Sequence, residues 1–162
     1  MSPLWVFGIS IVFSLIAWGI VVVRHWWPDL RRLPRAEALR PLLLLHAFRF
    51  VGLSFLVPGV VSLDLPVAWA RPAAYGDLIA AVLALLALVA LKSRLEHPMV
   101  WLFNVWGSVD LLYAFDQGNR VGLQPGQLGA TFYILLLITH VLVFRLLLRS
   151  DQLVASPPSA RQ

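Results

Sequence analysis

Five side chains in apolar surroundings carry what chemistry this sequence offers: His46, Arg49, Asn104, Asp110 and His140. His46, Arg49 and Gly52 recur at every third residue within PLLLLHAFRFVGLSFLVPGVV (41–61), which lines them along one stripe of a helix. Asn104, Gly107 and Asp110 repeat that spacing in WLFNVWGSVDLLYAF, and His140 follows in ITHVLVFRLL. An arginine at the centre of a bilayer costs about 2.5–3.5 kcal/mol on insertion scales, so it faces a bundle interior and a partner. Asp110 is the carboxylate nearest to it in depth. Counting along the helices, Arg49 lies about 12 Å, Asn104 about 9 Å and Asp110 about 18 Å from one face, and His140 about 15 Å from the other.

Two uses of this set are open. In the first, Arg49 pairs with Asp110, Asn104 bridges them, and the network fixes how three helices pack. Such a buried pair mostly avoids a penalty and need not add net stability. In the second, the same groups line a cavity for a small polar or anionic solute or an ion, or pass protons through His140. No cofactor and no metal is expected. Haem held by His46 and His140 is disfavoured because their depths, about 7 and 15 Å, differ by more than a helical turn. Ser54 or Ser108 with His140 and Asp110 would compose a Ser–His–Asp set, but no nucleophile elbow surrounds either serine. Intramembrane serines usually bond back to their own helix. There is no HExxH, P-loop or Gly-rich phosphate fingerprint, and the chain has no cysteine for thiol chemistry. A non-enzymatic protein is expected.

The elements that position these residues are membrane spans. Hydrophobic residues make up 60% of the 162 residues and charged ones 13%, against about 25% charged in an ordinary soluble domain. Five spans are expected, at 4–23, 41–61, 73–91, 99–115 and 130–148, in one all-α, polytopic transmembrane bundle over 1–149. A short tail fills 150–162. The N-terminal apolar run lacks a basic leader and is expected to be retained as the first span. Trp26-Trp27-Pro28 is expected to close that span, and 62–72 to lie as an ordered loop at the interface. Asp77 falls in the first turn of the third span, where it would complement the helix dipole. The connector KSRLEHP (92–98) is short enough to make its two spans antiparallel neighbours. Residues 116–129 are expected as a Gly-rich loop.

The basic residues set the orientation. Arg24, Arg31, Arg32, Arg35, Arg40, Lys92, Arg94, Arg149 and Arg161 fall on one side of five spans, Arg71 and Arg120 on the other. The N-terminus is therefore expected outside and the C-terminus in the cytoplasm. The basic loop at 31–40 is a candidate contact for anionic lipid, and the pI of 10.7 reflects that placement and not a nucleic-acid partner. A homo-oligomer or a membrane partner is compatible with so small a bundle.

Three segments carry a family likeness. LHAFRFVGLSFLVPGVVSLDLPVAWARPAAYGD resembles the R-x-x-G…LP-x-x-F-A-x-x-A-G-x-G-D segment of an uncharacterised group of small bacterial polytopic integral membrane proteins. FNVWGSVDLLYA resembles that group's N-x-x-G-x-x-D-L segment, and ITHVLVFRLL its closing helix with an intramembrane histidine. Trp69 and Ala74 stand where the pattern has Phe and Gly, and the proline-rich opening of the last helix is missing. The resemblance implies a helical bundle in a bacterial inner membrane. It marks Arg49, Gly52, Asp77, Asn104, Gly107, Asp110 and His140 as pattern positions. It implies no activity.

Overall fold

The computed structural model describes residues 3–61, 64–123 and 130–149. Among them the chain forms five helices joined by turns. Helix α1 comprises Pro3–Val21, continued by a π turn at Val22–Trp26 and a last α turn at Trp27–Leu30. It does not stop at Pro28 as expected. A proline in a helix has no N–H to give and crowds the carbonyl four residues back, and the wider π turn just before Pro28 accommodates both.

Helix α2 comprises Arg35–Ala47 and a 3₁₀ continuation, Phe48–Leu56. It starts six residues before the expected span and ends five before its far limit. Pro34 stands at the entry, where a missing donor is harmless, and the chain leaves the helix through extended Val57, Pro58 and a turn with Gly59 at φ +84. The change to 3₁₀ geometry matters for the site. With three residues per turn, Arg49, Gly52 and Phe55 stack directly above one another.

Helix α3, Val67–Ala90, begins well inside the stretch expected to be an interfacial loop. Pro72 lies in its second turn, close to the free end, so the helix tolerates it. This earlier start corrects the position of Asp77. It is the eleventh residue of α3, far from the dipole end it was expected to cap. Helix α4, Glu96–Arg120, extends the expected 99–115 at both ends and takes in the first part of the expected 116–129 loop. Helix α5 is Ala130–Leu147. Residues 124–129 and the expected tail at 150–162, with Arg161, lie outside the described residues.

Packing makes a closed ring of four helices with one outside it. Helices α2, α3, α4 and α5 each pack on their neighbours in the chain, and α5 closes on α2. Helix α1 packs chiefly on α5. Buried Ala80, Ala81, Ala84 and Ala87 form a small-residue stripe that lets α3 approach the helices beside it. Near one end of the ring the core is apolar, with Leu39, Leu43, Val100, Phe103, Val143 and Leu146 fully buried. Near the other it is a small cluster around Trp69, Ala70 and Ala73. Three helical runs, Gly8–Leu30, Arg35–Leu56 and Val67–Ala90, are long and apolar enough to cross a membrane, and Phe132–Leu147 is a shorter apolar one.

The basic segments meet at the apolar-core end. Arg149 donates to the carbonyls of Arg31 at 3.0 Å and Leu33 at 2.9 Å, which supplies donors to the frayed end of α1. Arg35 approaches Glu96 at 3.4 Å, and Lys92 reaches Glu37 at 2.6 Å. Glu96 also accepts the backbone N–H of Lys92 at 2.7 Å, in a connector where Lys92 holds φ +65. The Arg145 guanidinium lies 5.1 Å from the Trp27 ring centre. First loop, α3–α4 connector and the end of α5 are thus tied into one basic face.

The alanine stripe yields a test. Ala84→Leu is expected to destabilise the protein by about 1–3 kcal/mol through overpacking, whereas Val89, 84% exposed, should accept Ala with little change. Thermal unfolding in detergent measures both; equal effects would mean that α3 does not pack by this face.

Candidate functional site

Arg49 reaches the bundle axis from the 3₁₀ segment of α2 and is only 1% exposed. Its guanidinium has five N–H groups, and the structure surrounds them with four hydrogen bonds and one further ion-pair contact. Nε donates to Asp77 Oδ1 at 2.7 Å, and Nη2 lies 2.6 Å from the same oxygen. Nη2 also donates to Asp110 Oδ2 at 2.5 Å. Nη1 donates to the Gly107 carbonyl at 3.2 Å and faces His140 Nε2 at 3.5 Å. A cation fully enclosed by protein requires this degree of satisfaction.

The hydrogen bonds also settle the imidazole tautomers. Asn104 donates its Nδ2 to the His140 carbonyl at 3.2 Å, which turns its Oδ1 towards His140 Nδ1 at 2.7 Å. His140 Nδ1 is therefore the donor, and its Nε2 lone pair faces Arg49. A second proton on His140 would set two donors against each other. Thr139 directs its hydroxyl to the carbonyls of Leu135 and Leu136, both at 2.9 Å, so His46 Nε2 must donate to Thr139 Oγ1, also at 2.9 Å. His46 Nδ1 is the buried side-chain polar atom left without a partner among the described residues.

Three glycines make this layer possible. A Cβ on Gly52 of α2 would run into the Asp77 side chain of α3, with Asp77 Cβ only 2.7 Å away. One on Gly76 of α3 would overlap the Asp110 carboxylate of α4. One on Gly107 of α4 would stand 2.7 Å from His140 Nε2 of α5 and 3.0 Å from Arg49 Nη1. Helices α2, α3 and α4 thus each leave a gap for the polar side chain of the next.

The five sequence candidates all belong to this chain of contacts, with two changes of role. Asn104 does not bridge Arg49 and Asp110; it orients His140. The depth count also separated His46 from His140, yet their rings lie 4.1 Å apart, centre to centre, with Phe103 against both. Helix α2 starts earlier and tightens to 3₁₀ geometry, so counting residues at α-helical rise misplaced His46. Rings in direct contact leave no slot between them for a porphyrin. Ser108 bonds back to the Asn104 carbonyl at 2.7 Å and is no nucleophile candidate. No group of three or more His, Asp or Glu side chains among the described residues is placed to hold a metal ion. Residue reasoning placed Asp77 at a helix end and did not single out Thr139. The charge of Asp77 inside an apolar run, and its place beside Gly76, were the signals for it.

Asp77 and Asp110 border a cavity of about 220 Å³ lined by residues from all four ring helices. Asp77 and Asp110 reach it and Arg49 does not. Phe55, Trp69, Phe115, Phe132 and Tyr133 contribute rings to its wall. The polar ends of two of these are engaged elsewhere: Trp69 Nε1 donates to the Ala114 carbonyl at 2.7 Å, and the Tyr133 hydroxyl donates to the Leu111 carbonyl. On the opposite side of Arg49 lie His46, His140 and then the apolar core, so the cavity is blind.

Removing a partner from this layer should cost in proportion to the charge left unpaired. Arg49→Leu leaves two carboxylates facing each other and is expected to cost about 3–5 kcal/mol. Asp110→Asn leaves Arg49 still paired with Asp77 and should cost about 1–3 kcal/mol. Arg49→Leu with Asp77→Asn and Asp110→Asn together should recover more than Arg49→Leu with Asp110→Asn alone. If Asp77→Asn adds nothing to that rescue, Asp77 is not a partner of Arg49.

The glycine gaps predict a second series. Gly76→Ala and Gly107→Leu are expected to lower the unfolding temperature, while Gly8→Ala, with nothing within 4 Å, and Leu112→Ala, at a site 59% exposed, should not. Thermal unfolding in detergent separates the two groups.

No curated protein and no solved structure matches this chain. A family described as a domain of unknown function, DUF8737, matches residues 6–148, and the chain belongs to that family.

Proposed function

We propose that this protein is a non-enzymatic, multi-pass membrane component whose central polar layer holds four helices in one arrangement. The observation that carries this reading is the saturation of Arg49. Four hydrogen bonds and one further ion-pair contact, to Asp77, Gly107, Asp110 and His140, engage its guanidinium within the protein. His140 supports it, because its second nitrogen is already committed to Asn104. A proton relay through His140 would require Arg49 to move first.

A second reading, a solute- or ion-binding module of permease type, is favoured by the cavity. Its floor is the outward side of Asp77 and Asp110, and its blind inner end suits binding better than continuous conduction. The two readings part on the cavity-side carboxylates. An Asp77→Asn protein that keeps its fold but loses binding of a solute supports the second; one that loses only stability supports the first.

For location we propose the bacterial inner membrane, crossed five times, with the N-terminus outside and the basic face in the cytoplasm. Support comes from the apolar helical runs and from the gathering of the basic loop, connector and α5 end at one end of the bundle. Exposed Arg31 and Arg32 on that face would meet anionic headgroups. The chain has no cysteine, so single introduced thiols report topology without background. A cysteine at Asn119 is expected to react with a membrane-impermeant maleimide added to intact cells, and one at Arg32 only after lysis. The reverse pattern would invert the orientation, and labelling of both from outside would remove the five-span topology.

A further inference from the structure

We propose that the axial cavity is a binding site for a small ammonium group, the carboxylates of Asp77 and Asp110 holding its charge and the aromatic wall its alkyl substituents. The inference rests on the binding-module reading and names its ligand class. Charge is the first argument. One guanidinium faces two carboxylates, so with both ionised the layer carries an excess of one negative charge, whose cost a cation beside them offsets. Both carboxylates belong to the cavity lining. Asp77 Oδ2, beside Gly52 in the cavity wall, and Asp110 Oδ1, against Gly76, accept no hydrogen bond among the described residues, whereas the opposite oxygens are bonded to Arg49. Arg49 is hidden behind them, so an anion entering the cavity would meet only repulsion.

The wall is the second argument and is independent of the floor. Phe55, Trp69, Phe115, Phe132 and Tyr133 come from all four ring helices and border one space. With the indole N–H and phenol O–H spent on α4 carbonyls, Trp69 and Tyr133 offer that space only their rings. Aromatic rings beside a carboxylate are the surroundings that attract alkylammonium ions, through the ring quadrupole and the burial of methyl groups together. An inorganic cation would gain little from them. Size limits the ligand further: about 220 Å³ falls below the roughly 300–1,000 Å³ of sites for drug-sized ligands, so it admits a headgroup or a small amine. The ammonium can belong to a free amine or to an amine-bearing lipid whose chains remain in the bilayer.

The test is titration calorimetry on the purified full chain in detergent with tetramethylammonium chloride, with sodium chloride as control. A second arm measures lipid carried by the protein in native mass spectrometry after exchange into phosphatidylethanolamine or phosphatidylglycerol micelles. Saturable tetramethylammonium binding is expected. It should be weakened by roughly tenfold or more in Asp77→Asn, where Arg49 keeps Asp110 and charge balance preserves the fold. It should be weakened several-fold, about 3–10, in Phe115→Leu, which leaves every carboxylate in place. Retention of phosphatidylethanolamine over phosphatidylglycerol, lost in Asp77→Asn, identifies a lipid as the source; tetramethylammonium binding without it identifies a free amine. Equal, Asp77-dependent binding of sodium would overturn the ammonium assignment while leaving a cation-binding module standing. Absence of binding in both arms, with Asp77→Asn folded, would overturn both and leave the packing role alone.

Discussion

A permanently charged guanidinium inside an apolar bundle is the constraint from which the rest of this structure follows. Arginine cannot shed its proton to escape the cost, so each N–H needs an acceptor and the charge needs a counter-charge. One helix cannot supply those acceptors at the right heights. Arg49 draws on α3 for Asp77, on α4 for Asp110 and the Gly107 carbonyl, and on α5 for His140. The ring of four helices is the arrangement that brings these groups to one point. The pair geometry need not make the protein more stable than an apolar core would; it makes other arrangements worse, because each would strand a charge.

The glycines translate that electrical requirement into distance. Interhelical contacts with bulky residues would hold the carboxylates too far from the guanidinium for hydrogen bonds below 3 Å. Gly52, Gly76 and Gly107 each remove the one atom that would block the neighbouring polar side chain. Local helix type contributes as well. The 3₁₀ turn at Phe48–Leu56 sets Gly52 directly over Arg49, so that the gap for Asp77 opens beside the group that binds it.

Much of this was legible in the residues, and what was not has physical causes. The spacing of Arg49 and Gly52, and of Asn104, Gly107 and Asp110, depends only on helix periodicity, and the structure keeps each set on one helix. Asp110 could be matched to Arg49 because carboxylates are scarce in apolar runs. Asp77 was misplaced because Pro66 and Pro72 read as loop punctuation, while the structure uses one as an entry residue and admits the other in the second turn. Pro28 misled in the same way, since a π turn is invisible to periodicity. The contact of His46 with His140 depends on helix packing and local pitch, neither of which a residue count contains. The cavity wall was likewise hidden: Phe55, Trp69, Phe115 and Tyr133 look like ordinary apolar residues until four helices converge.

The place of α5 in the ring bears on how the chain is made. Translation delivers α5 after the other four helices, yet it carries His140 for Arg49, closes the ring against α2, and is the chief support of α1. Until it emerges, α1 lacks its main packing partner and the arginine lacks its imidazole acceptor. Arg149, just beyond α5, then fastens the carbonyls of residues made more than a hundred positions earlier. A ribosome that stalls before α5 would therefore leave an intermediate with an arginine short of one acceptor and an unattached first helix.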